Sequence, residues 1–299
     1  MVEVRLSLRA GGVVFRGAVI ALACLLLGTG CAGRGASRAA FDLLTRTGTY
    51  DRVNGVLASA EHRLVGACMA ALGLTYRTDP AAAQGSGAVT AADRRQTGYG
   101  LHARYAGSPA SVPANDEYVR SLSTSEQAKY RRALEGGDEQ RRAIRLGNGA
   151  TVSFPGAGCL AQAHRELYGD VVEWARITYV PQALHASMAK RVQGEPGYRT
   201  AVGAWSACMG GRGLPAATPE SAQARLQALY EERGPSEELQ AREVSVAVAD
   251  WECAERVRLP EVVLDAKRRL FSALPEEDRE DLVRLADAWT AAAARSGAH

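Results

Sequence analysis

Apolar residues recur along most of this chain at helical spacing. Between residues 50 and 72, Val53, Val56, Leu57, Ala60, Leu64, Cys68 and Leu72 fall three or four apart, which predicts one long helix with a single apolar stripe. From residue 157 onward the same period continues almost without a break. Thr218-Pro219 predicts an N-cap followed by proline at the first helical position, and Ser236 caps a helix carrying Trp251 and Cys253. Pro260 and Pro275 each open a further helix, the last one amphipathic through Leu282, Leu285 and Trp289. Ser123 and Glu126 form a capping box ahead of another helical run. Strand-like alternation is confined to 143–154, where Ile144/Leu146 and Val152/Phe154 flank Asn148-Gly149 and predict a small hairpin. The stretch 77–116 is rich in Gly, Ala, Ser and Pro with no sustained period, and reads as a long loop.

Two of the helical stretches echo each other. "CMAALGL" (68–74) and "CMGGRGL" (208–214) share a Cys-Met-x-x-x-Gly-Leu frame. Gly73 and Gly213 each stand five residues beyond their cysteine, where a left-handed C-terminal cap favours a residue without Cβ. Each cysteine then falls in the last turns of its helix. Cys159, by contrast, stands at a helix start after Gly and Pro, and Cys253 stands late in its helix.

The chain begins with Arg5, Arg9 and Arg16 ahead of the apolar run "GAVIALACLLLGTG" (17–30), the pattern of an export signal. Cys31 follows at once and is the expected site of lipidation. The preceding residues resemble a bacterial lipobox, although Gly28 stands where a Leu-type residue is usual. Cys24 is a second candidate, set inside the apolar run. Export predicts an oxidising compartment, so Cys68, Cys159, Cys208 and Cys253 read as a disulfide framework. Gaps of 91, 49 and 45 residues between them are far from the close pairs that bind zinc. Three pairings are possible and spacing alone does not select one. Two modules, each with a Cys-Met helix and one downstream helix, favour Cys68–Cys159 and Cys208–Cys253.

The expected organisation is an export signal over 1–30, a polar tether over 31–47 that leads into a weak helix, a first Cys-paired half over 48–180 that contains the long loop 77–116, and a second half over 181–299. The fold class is mainly α: a disulfide-stapled helical domain of two loosely similar halves with at most one small β-hairpin. Without residues 1–30, which hold three arginines and Glu3, 33 basic and 32 acidic side chains remain of 36 and 33. That balance excludes the basic stripe a nucleic-acid binder uses to displace counterions.

Four stretches resemble those of a group of uncharacterised actinobacterial exported lipoproteins: "GACMAALGLTY" (66–76), "LSTSEQAKYRRALEG" (122–136), "AGCLAQAHRELYGD" (157–170) and "AWSACMGGRGL … VAVADWECAER" (204–256). The resemblance covers most of 50–260. It implies an envelope location and a stapled helical architecture, and transfers no catalytic residue.

Catalytic frames are hard to find. His164 in "HRELYGD" has no second histidine four positions on, as a helix-borne zinc-protease motif requires. No Gly-x-Ser-x-Gly elbow and no phosphate loop followed by Lys-Ser/Thr occurs. His62 falls on the outer side of its helix, and His102, His185 and His299 lack a recognisable catalytic frame. No catalytic residue, metal site or cofactor is therefore assigned. Trp205 and Trp251, close in sequence to Cys208 and Cys253, read as core beside a staple. "RRQTGYGLHARYAG" (94–107) has the Arg, Tyr and Gly composition of an adaptable contact surface. The expected function is a non-catalytic binding or accessory role, tethered by lipid to the outer face of the cytoplasmic membrane or released outside the cell. Its expected partner is an envelope protein or a cell-wall component. The alternative is a secreted cell-wall or peptide hydrolase with its site in 77–116; a lipoprotein feeding an importer is weaker, for want of β-α alternation.

Overall fold

The computed structural model describes residues 37–78, 89–107 and 114–296, so Cys31, Cys24, His299 and the export signal lie outside the described residues. Helices dominate. A first helix, α1, covers 37–45 and is followed by α2 (Tyr50–Ala71). Two short helices, α3 (Ala91–Thr97) and α4 (Leu101–Tyr105), precede α5 (Ala114–Ser121) and α6 (Thr124–Glu135). Strands β1 (Arg142–Arg145) and β2 (Thr151–Phe154) pair antiparallel with Arg142 opposite Phe154 and Arg145 opposite Thr151. Then follow α7 (Gly158–Tyr168), α8 (Val171–Gly194), α9 (Pro196–Gly211), α10 (Pro219–Arg233), α11 (Glu237–Arg256), α12 (Leu259–Ser272) and α13 (Glu276–Ser296). The mainly α class with one hairpin is what the chain adopts.

Local signals account for most helix boundaries. Ser123 and Glu126 form the expected capping box of α6, Thr218 accepts from the Ser221 amide, and Ser236 accepts from the Leu239 amide. The repeated frame resolves into one device used twice. At the end of α2 the Leu74 amide donates to the Met69 carbonyl (2.9 Å) and the Gly73 amide to Ala70 (2.9 Å). At the end of α9, Leu214 donates to Met209 (3.1 Å) and Gly213 to Gly210 (3.0 Å). Both are Schellman caps, with Gly73 at φ 71° and Gly213 at φ 73°. Met69 and Met209 are fully buried, and Leu74 and Leu214 fold back into the same clusters. Leu72, expected on the apolar stripe of α2, is instead exposed because it is the C-cap itself and the helix has ended.

The main core gathers apolar residues from α1, α2 and α8 to α13, centred on Leu44, Trp205, Met209, Leu282, Leu285 and Trp289. A smaller cluster beneath the first staple joins Val65, Met69, Tyr130, Cys159 and Ala163, and a third joins the hairpin's Phe154 to Ala161, Val171 and Ala175. Within the expected tether 31–47, the weak helix forms over 37–45 and is docked: Ala40 and Leu44 are fully buried, because Ala40, Leu43 and Leu44 lie on one face. Helix α8 runs through position 180 without interruption. Helix α13 returns to pack on α2, α7 and α8, and α3 and α4 pack on α10 and α11.

Candidate functional site

The cysteines pair as Cys68–Cys159, joining α2 to α7, and Cys208–Cys253, joining α9 to α11. In each staple the cysteine of the Cys-Met helix is half-buried and its downstream partner is buried. Trp205 lies fully buried three residues before Cys208, and its indole N–H donates to Asp250 Oδ1 (3.0 Å); Trp251 is half-buried.

Within residues 94–107, expected to present a loop for partners, Tyr99, Leu101 and Tyr105 dock inward while Arg95, Gln96 and Arg104 stay exposed. Glu243 of α11 is fully buried, and its carboxylate accepts from the amides of Tyr99 and Leu101 (2.8 Å each), the amide of His102 (2.9 Å) and the Tyr230 hydroxyl (2.7 Å). Two helical turns further on, Asp250 accepts from the Tyr99 hydroxyl (2.8 Å) and Trp205. Burial pushes the Asp250 carboxyl above the usual carboxylate range, against the two hydrogen bonds, which act to lower it. The Tyr105 ring stacks on Tyr230 at 5.4 Å, and the Arg94 guanidinium lies 4.8 Å from the Tyr99 ring centroid. The polar composition of this segment serves internal docking, so its tyrosines are not a free contact surface.

The histidines divide. His62, expected on the outer side of α2, is half-buried with Nδ1 3.0 Å from the Tyr76 hydroxyl. His164 is buried, its ring stacked on Trp174 at 3.7 Å and its Nε2 3.5 Å from Glu61 Oε1. His185 Nδ1 meets the Leu44 carbonyl at 2.9 Å. Burial pushes the His185 imidazole below its ordinary value despite that bond, and Lys267 and Arg46 push it the same way.

A crevice opens where the α1–α2 turn meets α8 and α13. It encloses about 480 Å³, much of it open to solvent. The α1–α2 turn supplies Arg46, α2 supplies Tyr50 and Asn54, α7 ends in Tyr168, and α13 supplies Trp289. Asn54 Oδ1 accepts from the Trp289 indole (2.9 Å), and the Tyr50 and Trp289 rings lie 5.9 Å apart and tilted by 32°. The α8 wall adds Thr178 and Gln182. The two long walls are fixed to each other at the surface by Asp281 of α13, which accepts both from Arg176 (2.7 Å) and from Arg284, itself 3.1 Å from Glu173. Such exposed pairs stabilise by about 1 kcal/mol or less each, so they orient the walls more than they hold them.

Two other depressions differ in kind. One, of about 820 Å³ beside α13, is lined by Glu276, Arg279, Glu280 and Arg284, charges of both signs. The other, of about 430 Å³ behind the α9 cap, is mainly apolar with Arg225 and Arg242 at its edge, and Arg225 already donates to the Pro215 carbonyl. The crevice combines aromatic rings, neutral hydrogen-bonding groups and a cation, with no carboxylate in its lining.

None of the crevice residues was a sequence-level candidate apart from Trp289, read there as the apolar face of the last helix. No protein-family model, curated protein or solved structure matches the chain. Among the described residues, no helix is long and apolar enough to cross a membrane, and no group of three or more His, Cys, Asp or Glu is placed to hold a metal ion.

Proposed function

We propose that this chain is an exported cell-envelope protein, anchored by lipid on Cys31 to the outer face of the cytoplasmic membrane, with a non-catalytic binding role. On this reading it belongs with the actinobacterial lipoproteins its frames resemble. The observation that carries the proposal is the pair of disulfides between separate helices, a framework that persists in oxidising compartments and is rare in the cytosol. The basic and apolar N-terminal pattern ending at Cys31 supports the route. Binding is supported by the crevice, and by the way the most buried carboxylate, Glu243, spends both oxygens on holding its own chain.

The experiment is fractionation of expressing cells followed by mass spectrometry of the mature N-terminus. A diacylglyceryl-modified Cys31 in the membrane fraction, and release of the Cys31→Ala protein, are expected. A cytoplasmic protein that retains residues 1–30 would overturn the reading. A hydrolase reading draws on the His164–Glu61 contact. Zymography on cell-wall and peptide substrates separates the two, since turnover abolished by His164→Ala would displace the binding role.

A further inference from the structure

We infer that the crevice between α2, α8 and α13 is a binding site for a small organic anion, its charged head on Arg46 and its flat body against the half-buried Tyr50 ring. The inference deepens the binding role proposed above, and is independent of where the protein resides.

Charge is the first ground. Arg46 is the one ionised side chain lining the crevice among the described residues, and its other polar groups are neutral: Asn54, Thr178, Gln182 and the tyrosine hydroxyls. No carboxylate among the described residues pairs with Arg46. His185, one turn beyond Pro181 on α8, is held toward the neutral form by burial and by the positive charges of Arg46 and the half-buried Lys267. Glu61, the carboxylate acting on Tyr168, does not line the crevice and lies 3.5 Å from His164 Nε2. A cation without a counter-charge, set at a concave polar surface, favours an anionic ligand.

Backbone geometry is the second ground. Arg46 sits at φ 55°, a left-handed conformation that costs a non-glycine residue of order 1 kcal/mol or more. The turn holds it there, with the guanidinium 5.8 Å from the Tyr50 ring centroid. Strain of this kind at the mouth of a cavity is a mark of a presented side chain. The third ground is shape. The half-buried Tyr50 ring, backed by the buried Trp289 indole that donates to Asn54, gives a flat wall and leaves Thr178 and Gln182 to meet polar substituents.

The test uses the disulfide-bonded protein and three probes that share one flat body: benzoate, phenyl phosphate and benzamide. Binding is read by saturation-transfer NMR and by quenching of tryptophan fluorescence. At least one of the two anions is expected to bind, tenfold or more tighter than neutral benzamide, and their order tells a carboxylate head from a phosphoryl head. Arg46→Gln is expected to weaken that anion at least tenfold. Gln182→Glu, which adds a carboxylate to an exposed position on the wall, should weaken it as well, whereas Lys190→Gln, elsewhere on α8, should leave it unchanged. Three results would overturn the inference: benzamide binding as well as the anions, the anion binding equally to the Arg46→Gln protein, or no probe binding up to about 10 mM. Membrane fractionation reads none of these, so failure here and failure of the export reading are separate events.

Discussion

Glu243 shows how much of this molecule turns on single side chains. A carboxylate at zero exposure with no cation beside it carries a desolvation cost of several kcal/mol. Four donors offset that cost, since hydrogen bonds to a charged group contribute about 1.5–3 kcal/mol each. Glu243→Gln keeps the shape but supplies one carbonyl oxygen, turning an N–H₂ group toward donors it cannot accept. In the less costly orientation the new N–H₂ faces the Tyr230 hydroxyl, which can turn to accept, and the His102 amide, which is stranded, so we expect a loss of about 1–3 kcal/mol in urea unfolding and faster amide exchange at His102. A variant within about 0.5 kcal/mol of the parent would mean the docked segment adds little. Glu243 also left a trace in the sequence. Leu239, Glu243, Val246, Ala247, Asp250 and Cys253 share one helical stripe, and two carboxylates on an apolar stripe mark buried partners. Arg46 left none, because its left-handed backbone arises from the α1–α2 turn and nothing in "TRTGTY" marks it.

Among the elements, those built from local chemistry were legible and those built from distant contacts were not. The capping residues, the glycine caps and the hairpin rest on neighbours within a few positions, and the module reading of the cysteines rests on a local frame that occurs twice. Helices α3 and α4 are seven and five residues long, too short to persist alone, and depend on Glu243 and Tyr230 far along the chain. A Gly- and Ser-rich stretch therefore looked like a loop. The glycine caps give a test that separates two physical effects. A Cβ at Gly73 or Gly213 meets nothing within 4 Å, so Gly→Ala there costs only the left-handed backbone, about 1 kcal/mol, and equally at both sites. At Gly158, φ 75°, a Cβ would stand 2.5 Å from the Gly136 nitrogen and 2.7 Å from the Leu134 carbonyl oxygen. Backbone cannot yield as a side chain does, so Gly158→Ala is expected to cost well over twice as much, about 3 kcal/mol. Denaturant unfolding of the three variants measures this, and equal losses at all three would show that the α6–α7 contact is loose.

For the whole molecule, the question is whether two stapled halves behave as two units. The cysteine frames suggest separable modules, each stabilised by its own disulfide by about 4–5 kcal/mol in the chain-entropy model. The packing crosses between them in both directions. Helices α3 and α4, from within the first cysteine pair's span, dock on α10 and α11. Helix α13, beyond the second pair, docks on α2, α7 and α8, with Arg295 donating to the Leu167 carbonyl (2.8 Å) and Trp289 to Asn54. The main core draws on both halves, and Trp205 and Trp289, one beside the second staple and one against α2, belong to it together. Removing either half would expose the buried faces of the other, and that cost couples their unfolding. With both disulfides intact, far-UV circular dichroism and tryptophan fluorescence are expected to follow one coincident transition in guanidinium chloride. Two separated transitions, with fluorescence from one half changing first, would mean that the interlock contributes less than the staples, and that the crevice closed by α13 opens well before the protein unfolds.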